Sequence, residues 1–127
     1  MIFQKDKRKW PRVGKRIKID AIMVDPANKE ALFKLDPIWS KDVGGNGLGL
    51  VTRVHCRVGV VMDLHFQLPS QSQPIHAKGR VVWSKLEDNA QNEYRIGVAF
   101  DSIDENDRKA IMRYIDSEVG KIPKKGV

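Results

Sequence analysis

Along residues 58–68 the side chains alternate with a period of two: Val60, Met62, Leu64 and Phe66 fall on one face, Gly59, Val61, Asp63 and His65 on the other. An extended strand with one buried face repeats in this way, because successive β-carbons point to opposite sides. The alternation recurs over 15–24, where Ile17, Ile19, Ala21 and Met23 oppose Arg16, Lys18 and Asp20. Further strands are expected over 31–38, 48–52, 75–84 and 94–100. Turn signals separate them: Asp25-Pro26-Ala27-Asn28, the glycine-dense stretch 42–49, the polar loop 69–74 and the hairpin loop 87–93. Six short strands punctuated this way predict an all-β barrel or sandwich.

The period changes near the end of the chain. Over 104–119, Ala110, Ile111, Tyr114, Ile115 and Val119 recur at three- and four-residue spacing, as on one face of a helix. Asp104 suits the N-cap, Glu105 and Asp107 suit the first turn, and Gly120 and Pro123 mark the stop. A small barrel has a thin core, so this apolar stripe is expected to cover it. With 127 residues the chain suits one domain. The expected organisation is a basic arm over 1–14, a barrel with its helix over 15–120, and a tail over 121–127.

Charge is concentrated rather than spread. Residues 1–18 hold eight lysines and arginines against Asp6 alone, which accounts for the whole net charge of +7. A basic segment on an otherwise balanced chain reads as an anion-binding arm, with nucleic acid, a phosphorylated small molecule or an acidic membrane as candidate partners. Within it, Arg8-Lys9-Trp10-Pro11-Arg12 places two arginines four residues apart, and Pro11 disfavours a helix there. A guanidinium can donate a fork of hydrogen bonds to guanine O6 and N7, stack on the base, or pair with phosphate. In the glycine-dense stretch, Gly44, Gly45, Asn46 and Gly47 can let a ligand approach the backbone N–H groups closely. Asp42 offers a carboxylate able to accept from a guanine N1–H and amine.

The two features together resemble the PilZ family, whose pattern is RxxxR before the first strand and [D/N]xSxxG between the second and third. Arg8 and Arg12 match the first motif; Asp42 and Gly47 match the ends of the second. The resemblance continues through Gly79-Arg80-Val81-Val82-Trp83 and Tyr94-Arg95-Ile96-Gly97-Val98-Ala99-Phe100, and on into the helix. It implies a six-stranded antiparallel β-barrel with a C-terminal helix, and a site for cyclic di-GMP built from Arg8, Arg12, Asp42, Gly44 and Gly47. Lys7, Trp10, Gly45 and Asn46 stand beside that set. Lys7 sits where the family's residue type sets ligand stoichiometry, and lysine brings charge without a stacking plane. Gly44 stands where the family has serine, so one side-chain hydroxyl is missing and Gly44→Ser is expected to tighten binding. The Arg12/Arg16 pair has the same spacing, but Arg16 is expected inside the first strand.

The expected function is that of a sensor whose arm folds over cyclic di-GMP and signals to a protein effector in motility or exopolysaccharide control. Two alternatives compete: a PilZ-like interaction scaffold without nucleotide binding, and a small-barrel binder of single-stranded nucleic acid. Aromatics are only 7% of the chain and scattered, which argues against the last. No nucleophile–base–orienter set is present, so no enzymatic activity and no cofactor are expected. His55, His65, His76 and Cys56 lack metal-ligand spacing. One cysteine, no secretory leader and no apolar run of membrane length make the cytoplasm the expected compartment.

Overall fold

The computed structural model describes residues 11–35, 38–69 and 71–120. Eight strands precede one helix: β1 (Arg12–Gly14), β2 (Ile19–Val24), β3 (Ala31–Leu35), β4 (Trp39–Gly44), β5 (Gly47–Thr52), β6 (Val61–Gln67), β7 (Pro74–Asp88), β8 (Glu93–Ile103) and α1 (Glu105–Gly120). They form a single antiparallel sheet in the order β1-β4-β5-β8-β7-β6-β2-β3. The expectation of a closed six-stranded barrel is therefore corrected on both counts: there are eight strands, and the ladder does not close. Across the gap, Lys18 and Trp39 make an isolated bridge. Two backbone hydrogen bonds flank it, Ile19 N–H to the Ile38 carbonyl (3.1 Å) and Ser40 N–H to the Ile17 carbonyl (2.9 Å).

The two additional strands have clear physical origins. β1 is three residues long and lies inside the basic segment, where charge hides its pattern; it pairs with β4 through Arg12–Gly44, Val13–Val43 and Gly14–Asp42. The chain then leaves the sheet over 15–17, so the strand expected over 15–24 begins only at Ile19 as β2. β4 falls partly in the stretch read as a turn. Its register slips between Ser40 and Asp42, so Lys41 interrupts the alternation that would have marked it. Only Gly45 and Asn46 make the turn, with Gly44 paired to Gly47.

The inward rows meet in one core. Ile19 and Ala21 of β2, Met62, Leu64 and Phe66 of β6, and Ile75 and Val81 of β7 face Leu48 and Leu50 of β5 and Ile96 and Val98 of β8. The helix completes it with Ala110, Ile111, Tyr114 and Ile115, and packs beside β1 and β4. Val119, expected on that stripe, is exposed. Asp104 caps the helix as expected: its carboxylate accepts from Asn106 N–H at 2.8 Å and its carbonyl from Arg108 N–H at 3.0 Å. Asp107, buried in the first turn, accepts from Gln73 Nε2 (2.9 Å) and His76 N–H (3.3 Å), tying α1 to the entry of β7. Pro123 and the tail over 121–127 lie outside the described residues.

Tyr114 makes the helix–sheet contact sensitive to alkali. Burial, reinforced by the negative charge of Glu118, pushes its hydroxyl from 10.0 up to about 12. The folded state therefore holds this proton after the unfolded chain has released it. Stability contributed by neutral Tyr114 is intact below pH 10 and declines as pH climbs toward 12. Denaturant melts across that interval are expected to show a shallower decline for Tyr114→Phe than for the natural chain; equal slopes would contradict the assignment.

Candidate functional site

Asp42 projects from the face of the sheet turned away from the core. Strand register sets one row across five strands there: Gly14, Asp42, Gly49, Gly97 and Trp83. The adjacent row, Val43, Leu48 and Val98, points inward and is buried. On the outer row, side chains lie against bare backbone for a steric reason. A β-carbon on Gly49 would stand 2.7 Å from Asp42 Oδ2, and one on Gly97 would run into the Trp83 indole. The carboxylate and the indole thus lie down over two glycines. The next outer row is Arg12, Gly44, Gly47 and Ala99. There a β-carbon on Gly44 would come within 2.7 Å of Arg12 Cγ, and one on Gly47 would strike the Val98 carbonyl oxygen.

The turn expected over 42–49 is shorter than that, since Gly44, Gly47 and Gly49 lie in paired strands. None of Gly44, Gly47 and Gly49 has a left-handed backbone; among the described glycines only Gly59 does, at a φ of 98°. They are required for close approach across strands, not for turn conformation.

Asp42 sits between two guanidinium groups. Arg12 Nη1 donates to Asp42 Oδ1 at 2.7 Å, and Arg95 Nη2 lies 3.6 Å from Asp42 Oδ2. Arg12 Nη2 also reaches Asn46 Oδ1 at 3.4 Å. Among the described residues, the Nε atoms of Arg12 and Arg95 are buried without an acceptor, which leaves each a donor for a further partner. The turn itself is pinned from two sides: Arg108 of α1 donates from Nε to the Gly45 carbonyl (3.1 Å), and Phe100 N–H donates to the Asn46 carbonyl (2.8 Å). Chemically, this is a carboxylate acceptor flanked by two cationic planes, beside a low floor and an indole.

Of the residues expected from sequence, Arg12, Asp42, Gly44, Gly45, Asn46 and Gly47 come together here. Arg8, Lys7 and Trp10 lie outside the described residues. Arg95, Trp83 and Arg108 were not expected at the site. Their sequence signals are weak, because only the β5–β8–β7 register and the seating of α1 bring them near Asp42. The histidines lie elsewhere: His65 and His76 stack on each other at 4.0 Å, and His55 packs against Tyr94.

The family model for the PilZ domain matches residues 6–117. The chain belongs to the PilZ family. PilZ is a family of cyclic di-GMP receptors. This PilZ domain is similar in structure to the Bacillus subtilis inhibitor of motility MotI/DgrA, with a TM-score of 0.71 and 15% identity over 93% of this chain and 54% of that one. It therefore spans about half the length of that protein. It is also similar to the PilZ domain of YcgR from Escherichia coli, solved with c-di-GMP, with a TM-score of 0.56 and 11% identity over 92% of this chain and 100% of that one. No curated protein matches the sequence. No helix among the described residues of this PilZ domain is long and apolar enough to cross a membrane.

The geometry revises what Gly44→Ser should do. Its β-carbon would meet Arg12 Cγ, so the added hydroxyl comes with a displaced Arg12 rather than as a simple gain. Crowding of this kind costs about 1–3 kcal/mol. In a double-mutant cycle, Gly44→Ser is expected to lower stability less in an Arg12→Ala background, where Cγ is gone. Additive effects would show that Arg12 does not occupy the space above Gly44.

Proposed function

We propose that this domain binds cyclic di-GMP at the Asp42 site, with the basic arm folding over the ligand and the ordered arm presenting a new surface to a protein partner. The observation that carries the reading is the meeting of Arg12 with Asp42 at 2.7 Å beside a side-chain-poor sheet face. Asp42 would accept from the guanine N1–H and amine, taking the place now held by Arg12. Arg12, so released, would donate to guanine O6 and N7 or to phosphate, and Arg95 would supply a second cationic plane. Trp83, 43% exposed over Gly97, offers an apolar platform at the far side. Arg8 and Lys7 belong to the same arm and would close the site from above. Binding requires no cofactor and involves no catalysis.

In this reading the protein works in the cytoplasm, and its output is motility or exopolysaccharide control. The naming of a structural neighbour as an inhibitor of motility supports the former. A scaffold without nucleotide has one observation in its favour: Arg12 and Asp42 already satisfy each other. Titration calorimetry separates the two. Cyclic di-GMP is expected to give saturable heat that Arg12→Ala abolishes and Arg95→Ala weakens by about tenfold, the loss of a charge-assisted hydrogen bond. Absence of heat from the natural chain at high micromolar ligand would favour the scaffold.

A further inference from the structure

Arg16, four residues beyond Arg12, does not approach Asp42. Its guanidinium carbon stands 4.3 Å from the centroid of the Trp39 ring. Together they form one wall of a second concavity of about 670 Å³, at the end of the β4–β5 hairpin opposite the Gly45–Asn46 turn. Lys15, Lys41, Arg53 and Glu93 complete its rim. The cleft exists because strands part there: β1 ends at Gly14, Lys41 bulges from β4, and the chain bends away after Thr52. Its floor is fixed. Buried Ser40 donates from Oγ to the Lys15 carbonyl at 2.5 Å and accepts from Ile17 N–H at 2.8 Å.

Four cations face one carboxylate across this cleft. Lys15 lies 3.9 Å from Glu118, while Arg16, Lys41 and Arg53 form no ion pair among the described residues. Like charges set around a concave wall raise the local potential and concentrate anions. Trp39 holds the Arg16 plane by cation–π contact, which reduces the side-chain entropy lost when its N–H fork is engaged. The volume falls in the range of small-molecule sites, roughly 300–1,000 Å³. With Lys15 paired to Glu118, Arg16, Lys41 and Arg53 face Glu93 alone, and this excess of two positive charges calls for a multiply charged guest rather than a single carboxylate.

We propose that this cleft is a second anion site, distinct from the Asp42 site, which takes a phosphate ester carrying more than one negative charge. Arg16 would present its fork to the phosphate, with Lys41 and Arg53 on either side. The chemistry is shared by a soluble nucleotide and by an anionic lipid headgroup. The proposal goes beyond the cyclic di-GMP reading and does not rest on it.

The test follows the Trp39 indole N–H by nuclear magnetic resonance as pyrophosphate is added to the full chain at constant ionic strength, with Trp39→Phe assigning the signal. Saturable movement is expected. The Arg16→Gln/Arg53→Gln variant should weaken binding at least about tenfold. Arg12→Ala should leave it within about threefold, as for independent sites. Lys41→Gln, a single exposed change, provides the same direction of effect should the double variant lose its folded spectrum. Competition by ADP would assign the soluble source, and co-sedimentation with phosphatidic acid vesicles lost in the double variant would assign the lipid one. The proposal fails if millimolar pyrophosphate leaves the signal in place, if Arg12→Ala removes the response, or if the cleft variants abolish cyclic di-GMP heat as well. Absence of cyclic di-GMP binding alongside an intact pyrophosphate response would overturn only the reading of the Asp42 site.

Discussion

The absence of β-carbons along the outer face of β4, β5 and β8 is the constraint from which the site grows. A side chain at Gly47 would strike the Val98 carbonyl, and side chains at Gly49 and Gly97 would evict Asp42 and Trp83 from where they rest. Strand pairing, the posture of Asp42 and the pose of Trp83 are thus one steric solution. Alanine at these positions would act on the fold and the site together, since overpacking a strand contact shifts the backbone that aims the carboxylate. What looks in sequence like a flexible glycine loop is in the structure a tightly packed seam between strands.

On that surface the electrostatics are arranged as a competition. Asp42 has one carboxylate and two guanidinium neighbours, and the closer of them, Arg12, belongs to the same motif through which the arm would hold a nucleotide. A guest at Asp42 would have to supply contacts that outweigh the largely buried Arg12–Asp42 pair. The free site is self-satisfied.

Much of this was legible in the sequence, for physical reasons that also explain the gaps. The period-two runs of β6 and β2 and the helical stripe of α1 were visible because each buries one face against a single core. The Asp104 cap was visible because capping is local. β4 was hidden by its bulge at Lys41, and β1 by its brevity and charge. Arg12, Asp42, Asn46 and Gly47 could be named because motif spacing survives without coordinates. Arg95 and Arg108 could not, since their nearness to the turn depends on cross-strand register and on where a helix docks. The glycines were read as part of a turn, whereas Gly44, Gly47 and Gly49 lie in paired strands, where their lack of volume admits close neighbours.

The gap in the sheet has a mechanical consequence. Among the described residues, β2 and β4 meet only at the Lys18–Trp39 bridge with its two backbone hydrogen bonds and through the Ser40 hydroxyl, whereas every neighbouring pair in the strand order forms a ladder. Deformation concentrates where fewest bonds must break. The residues on the β4 side of this contact, Trp39 and Ser40, stand three and two positions before Asp42. Shear between β2 and β4 would therefore meet fewer backbone hydrogen bonds than shear across the β2–β6 or β4–β5 ladder on either side of it.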